Sequence, residues 1–467
     1  MGINEYLNND VDRVIDPFTP NKEHCNPIKS TKSPFLRQMV ACSSIIINGI
    51  SMGMTYGFMG TLLPQLPNFD VNSASWLTSS LVLLAPIGIL LSSFIMRKCG
   101  RKFAEMMVSV SGSIGWVSLI ISDNIYVLSF GCSILGISSG FITVLLNVYV
   151  TEISEPKYRG LISLIASSII TFGIFLSHVL GVICHWKVAL GLSTLVPVIS
   201  LILVFFMVET PSWLMLNERY EEAEKIFYKL RRCTHENQQE LKEMLNRKFQ
   251  NKSEKKKFIL RQMASRKFLK PFFILTFIFI TLIGSGYDII MFYAVYMLRN
   301  MELINKTWMY LILLDLVRLF ACIISCYLVK ILNRRFLFLT SAIATFVSII
   351  LMILCVVLKL PEYVTFACLC LYLWSIYAGL NPIPWLMTTE LYPEIIRDMG
   401  TAMTMIWSHI LIFAVVKSGP LLINQFGIVF ALTTFALIVF SCILILYFIM
   451  PETKNSTLQE IENNIVN

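Results

Sequence analysis

Two charged phrases recur in an otherwise apolar chain. TEISEPKYRG at 151–160 and TELYPEIIRDMG at 389–400 each place a Glu seven residues before an Arg, with a Pro between them and a Gly close after. The pairs are Glu152 with Arg159 and Glu390 with Arg397. Two further phrases repeat in the same order with a near-constant offset: CGRK at 99–102 with LNRR at 332–335, and VETP at 208–211 with PETK at 451–454. They add Arg101, Lys102 and Glu209 to the first set, and Arg334, Arg335 and Glu452 to the second. Carboxylates and guanidinium groups in this pattern form ion pairs. A single exposed pair contributes only about 0–1 kcal/mol, so a repeated ring of them suits a two-state clasp better than general stability. A second group of ionisable residues lies inside apolar stretches: Asp288, and Asp315 three residues before Arg318. In hydrocarbon such groups cost several kcal/mol unless they pair or face water. Two readings stand open for them. They are a self-neutralised packing pair, either Asp315 with Arg318 or Asp288 with Arg318, or they face a solute or a coupling proton.

The elements that must position these residues follow from composition. The chain has 467 residues, 56% hydrophobic and 14% charged, with a mean hydropathy of +0.70. That is the composition of a membrane protein. Runs long enough to cross about 30 Å of hydrocarbon fall near 39–63, 76–96, 103–121, 125–150, 160–184, 188–208, 271–297, 307–329, 336–358, 362–388, 400–423 and 427–450. The expected fold is an all-α membrane protein of twelve transmembrane helices in two six-helix pseudo-repeats. Residues 1–38 form an N-terminal tail, 39–208 and 271–450 the two halves, 209–270 a linker and 451–467 a C-terminal tail. Within the linker, NERYEEAEKIFYKLRR places Tyr220, Ala223, Phe227 and Leu230 on one face of an amphipathic helix.

All but six of the 38 Lys and Arg residues fall on the face predicted to be cytoplasmic, the exceptions being Lys187, Arg299, Lys306, Lys359, Arg318 and Lys417. Both termini are therefore expected inside, in a multi-pass plasma-membrane protein. The net charge of +9 sits in those loops without a nucleic-acid motif, so the expected partners are the lipid bilayer and a small solute, with no nucleic acid and a monomeric chain. Most of the twelve cysteines lie in spans, and no disulfide, metal or cofactor is expected. The tail before the first span lacks the apolar core of a signal peptide. Asn305 begins an N-glycosylation sequon on the outer face. His178 and His409 read as hydrogen-bonded interior residues. No phosphate loop, nucleophile triad or metal spacing appears, so the chain does not read as an enzyme.

These phrases, with ETPSWL at 209–214, FY at 292–293, NPIPW at 381–385 and the closing PETK, resemble the sugar porter family of the major facilitator superfamily across residues 37–460. Within it the likeness is to the facilitated trehalose transporter branch, through an acid-free first helix and FAVVKSGPLL at 413–422. The resemblance implies alternating access around a central site and, without an acid in helix one, a uniporter. It implies a substrate set of Ser167, Asp288, Tyr293, Arg318, Tyr377, Asn381 and Trp385, and gate residues Arg101, Lys102, Glu152, Arg159, Glu209, Arg334, Arg335, Glu390, Arg397 and Glu452. The set departs from the family pattern. Trp385 is kept, but the fifth-helix Gln falls on Ser167, the paired seventh-helix Gln on Leu282 and Ile283, an Asn on Asp288, another on Arg318, and a Glu on Tyr377. Arg97, Lys330 and Asn333 also depart from the family's loop motif. Beside a facilitative sugar transporter, two readings stay open: a sensor that binds solute without moving it, and a carrier of organic anions read by Arg318.

Overall fold

The computed structural model describes residues 33–66, 70–121, 123–231, 237–241, 265–304, 306–393 and 396–454. The Asn305 sequon lies outside them. Ser33 accepts a hydrogen bond from the Leu36 N–H at 3.3 Å and Pro34 follows it, so the first helix starts a turn earlier than the apolar run alone suggests. The first half contains α1 (Pro34–Leu62), α2 (Val71–Cys99), α3 (Arg101–Ile121), α4 (Ile125–Ile153), α5 (Pro156–Ile183) and α6 (Trp186–Leu203). Each is one unbroken span. Two short helices follow, α7 (Pro211–Leu216) and α8 (Tyr220–Leu230).

The second half is less regular. The seventh span, expected as one helix, comes in three pieces: α9 (Arg266–Gly284), α10 (Tyr287–Phe292) and α11 (Ala294–Asn300). Gly286, at φ 82°, makes the first break. A Cβ there would also lie 2.6 Å from the Phe435 ring, so both conformation and space call for glycine. Tyr293, at φ −125° and ψ 36°, makes the second. Next come α12 (Thr307–Ile331) and α13 (Arg334–Val357). The tenth span runs as α14 (Glu362–Ser375), a π-turn over Ile376–Leu380, and α15 (Pro382–Glu390). Pro382 has no N–H to continue the helical ladder, and Asn381 N–H closes the wide turn onto Ile376 O at 2.8 Å. The last two spans are α16 (Arg397–Phe426) and α17 (Ile428–Ile449).

Large apolar side chains such as Phe94, Phe205 and Phe448 point outward, as expected of a surface solvated by lipid. Inside the first half, α2 and α4 touch backbone to backbone: a Cβ on Gly140 would lie 2.0 Å from the Ala85 carbonyl oxygen. The linker helix α8 buries Ala223, Phe227 and Leu230, three of the four residues assigned to its apolar face, while Tyr220 is half-buried. It packs on Leu214 and Met215 of α7, and the Arg37 and Gln38 side chains of α1 donate to the carbonyls of Lys229 and Leu230.

The halves meet chiefly where α2 packs on α16 and α5 on α12. One end of the molecule carries Gly100, Asn333 and the repeated phrases and is called the motif face. The other end is the far face. At the far face, Ser75 Oγ donates to Lys417 O at 2.7 Å, and the Lys417 ammonium stands 3.8 Å from the centre of the Trp76 ring. Both contacts join the two halves.

Candidate functional site

The motif face is built twice by the same device. Glu209 accepts from the N–H groups of Arg101 and Lys102 at 2.8 and 3.2 Å. Glu452 accepts from those of Arg334 and Arg335 at 3.0 and 3.1 Å. Each carboxylate sits at a helix start, where free N–H groups and the helix dipole favour negative charge. Burial pushes the Glu209 carboxyl above its ordinary range, and the backbone N–H groups of Arg101, Lys102 and Thr210 oppose that shift. Arg101 then grips Glu152 through two parallel hydrogen bonds at 2.7 and 3.0 Å. Its counterpart is looser: Arg334 lies 3.7 Å from Glu390, whose other oxygen accepts from Thr453 at 2.5 Å. Arg397 Nε donates to Tyr392 O at 3.4 Å. The side chains of Arg159 and Ser167 lie outside what the structure describes.

In this conformer, which is joined at the far face, the described pairs of the repeated phrases stay within a half. Arg101 and Glu152 join α3 to the end of α4. Arg334 and Glu390 join α13 to the end of α15. They staple helix ends, so each half can move as one body.

The interior chemistry lies mostly in the second half. Arg318 Nη1 contacts Asp315 Oδ1 at 2.9 Å, one turn apart on α12, and both residues are buried. The contact is ionic and poorly aligned: Asp315 Oδ1 and Arg318 Nε and Nη1 all lack a hydrogen-bond partner. The other Asp315 oxygen meets His178 Nδ1 of α5 at 2.6 Å. The Arg318 guanidinium lies 5.9 Å from the centre of the Tyr377 ring, and the Tyr377 and Tyr287 hydroxyls are 2.5 Å apart. Next to Tyr287, Asp288 is buried with Oδ2 unpartnered. Of the two pairings left open for Arg318, the structure forms the one with Asp315. Tyr287 stands between Arg318 and Asp288.

A model of the family described as sugar (and other) transporter matches residues 39–465. The chain belongs to this family. The facilitated trehalose transporter Tret1 of Bombyx mori is 24% identical over 455 residues, covering 95% of this chain and 90% of that protein. Tret1 of Drosophila mojavensis is 24% identical over 443 residues, covering 92% of this chain, which spans about half of that longer protein, 51%. Among solved structures, the inward-open conformation of the xylose transporter XylE from E. coli aligns with a TM-score of 0.76 at 18% identity, covering 92% of this chain and all of that one. That likeness carries the fold: a twelve-helix major facilitator architecture in two six-helix halves.

Within this sugar transporter family fold, Arg318, Tyr377 and Asp288 are brought near one another through Tyr287. The other assigned positions sit apart from that chain of contacts. Tyr293 makes the second break in the seventh span and donates its hydroxyl to Val416 O at 3.2 Å, a packing bond within the half. Trp385 is half-buried, its ring edge-on to Phe279 at 5.2 Å between centroids. Asn381 is half-buried at the end of the π-turn. Sequence reasoning treated His178 and His409 alike. His409 bonds Met405 O of its own helix at 2.8 Å, whereas His178 reaches the other half. It also passed over Glu105 of α3, a buried carboxyl held by Ser44, Asn48 and Ser200 at 2.8, 2.7 and 3.0 Å. The available signal was an acid four residues into a span, and it was absorbed into the neighbouring basic loop.

Proposed function

We propose that the chain is a facilitative sugar transporter, carrying trehalose or a hexose-like neutral solute by alternating access. The observation that carries this reading is the pairing state of the buried polar groups. Asp315 neutralises Arg318 at 2.9 Å, yet Arg318 Nε and Nη1 remain donors without acceptors, and Asp288 Oδ2 remains an acceptor without a donor. Each hydroxyl of a sugar is both donor and acceptor, so a polyol can satisfy both kinds of group. A carboxylate or phosphate offers acceptors alone and would leave Asp288 Oδ2 without a donor. The names of the Tret1 relatives support the same substrate class.

The motif face carries most of the Lys and Arg, which supports its placement in the cytoplasm, with both termini inside and the protein in the plasma membrane as a monomer. The structure then corresponds to a conformer joined at its outer, far face. The stapled helix ends on the motif face support rocking of two rigid halves. The test is counterflow of labelled trehalose and glucose in proteoliposomes, with neutral sugars and organic acids as competitors. Saturable sugar counterflow resisted by organic acids is expected. Binding without counterflow would mark a sensor, and Arg318-dependent anion counterflow would mark a different cargo.

A further inference from the structure

The His178–Asp315 contact differs from every other ion pair described above in joining the two halves. It is fully enclosed, with side chains 0% and 1% exposed. Both residues lie toward the far face: His178 five residues before the end of α5 and Asp315 eight residues after the start of α12. Asp315 has a second cation, Arg318, on its own helix. If α5 and α12 part, Asp315 keeps Arg318 and no lone buried carboxylate is left behind. The contact can therefore break at a cost that a thermally driven cycle can meet. On its other side the His178 ring meets α1: a Cβ on Gly60 would stand 3.2 Å from Nε2, and Nε2 has no hydrogen-bond partner. His178 thus sits where α1, α5 and α12 meet.

We propose that His178 is a positioning residue of the transport cycle: its Nδ1 contact with Asp315 holds the far face shut, and it breaks each time that face opens. This rests on the alternating-access reading above. It assigns to the interior the inter-half contact that the charged phrases of the motif face do not make in this conformer. The ionisable groups around the ring are Asp315 and Arg318 of α12, with Tyr377 and Tyr287 beyond Arg318, and Cys322 further along α12 against Thr171. Gly60, presented by α1, carries no charge.

The experiment uses the full chain in intact cells with Cys184→Ser to lower background. Ser75→Cys places a thiol at a position 0% exposed in this far-face-closed conformer. Its reaction with a membrane-impermeant maleimide then reports opening. A cysteine at Tyr126, 81% exposed on the same face, provides the reference rate. His178→Ala should raise the Ser75→Cys rate relative to that reference about tenfold, a typical size for coupling between sites. His178→Asn, which keeps a hydrogen-bonding group but not the ring, should give a smaller rise. Equal rates in all three proteins would overturn the proposal. Labelling does not depend on the cargo, so failure of the sugar reading would show separately, as sugar uptake absent from cells whose labelling behaves as expected.

Discussion

The two halves share their ends and differ in their interiors. At the motif face, Glu209 and Glu452 cap the third and ninth spans with distances that agree within about 0.2 Å, and Arg101 and Arg334 each return a guanidinium N–H to a carbonyl five residues back, Met96 and Val329. Inside, the first half is regular and tightly zipped, and its one buried acid among the described residues, Glu105, is surrounded by hydroxyls and an amide. In the second half, two spans are broken, at Gly286, at Tyr293 and through Ile376–Leu380, and buried Asp288, Asp315 and Arg318 sit at or near those breaks. Irregular backbone at membrane depth is tolerated where it is enclosed by protein or lines a cavity, which is where a solute site belongs. On the proposed function, the duplicated ends would serve the motion that both halves share, and the divergent interior, mainly of the second half, would serve recognition.

That contrast can be broken first at Arg318. Arg318→Met leaves Asp315 with the His178 ring alone as its partner, and loss of one member of a buried pair costs about 3–5 kcal/mol. A sharp fall in thermal stability in detergent is expected, together with loss of uptake. Gly286→Ala tests the break itself: with φ at 82° and a Phe435 ring in the way, a cost of about 1–3 kcal/mol is expected, read as a lower melting temperature. The matched caps should behave alike but not identically. Glu209→Gln and Glu452→Gln should each cost about 1 kcal/mol, with Glu452 the more sensitive, because burial already works against the charged form of Glu209. Paired thermal melts of the two variants decide the order. The smallest effect is expected at Glu105→Gln. It replaces a buried carboxyl that has no cation beside it by an amide whose oxygen still accepts from Ser44 and Asn48, so stability should stay within about 1 kcal/mol of the parent.

Much of the fold was legible in the sequence because hydrocarbon imposes a simple rule: twelve apolar runs of sufficient length become twelve spans. The repeated phrases marked the two halves for the same reason of plain chemistry, since a Glu beside free helical N–H groups works wherever it is placed. What the sequence hid was geometry that depends on distant partners. Nothing local distinguishes His178 from His409; the difference is that Asp315, on another span, faces the first. The breaks at Gly286 and Tyr293 lie within an apolar run and left its hydropathy intact. The partners of the charged phrases were also hidden, because a pattern of Glu and Arg fixes that pairs form and not which helices they join. Asp288 and Arg318 were visible as unusual residues, and the spacing of Arg318 from Asp315 allowed a pair, but only the folded structure shows which atoms remain unpaired.

The claim that recognition resides in the second half and favours a neutral polyol is tested most directly by one comparison: uptake of labelled trehalose and glucose by cells expressing the parent chain and Asp288→Asn. The account predicts saturable uptake in the parent, competed by neutral sugars and not by organic anions, and a half-saturation concentration shifted about tenfold or more by Asp288→Asn, the size expected for one buried hydrogen bond to a charged group. Sugar uptake whose half-saturation and maximal rate are both untouched by Asp288→Asn, or saturable uptake of an organic anion in place of sugar, would contradict it.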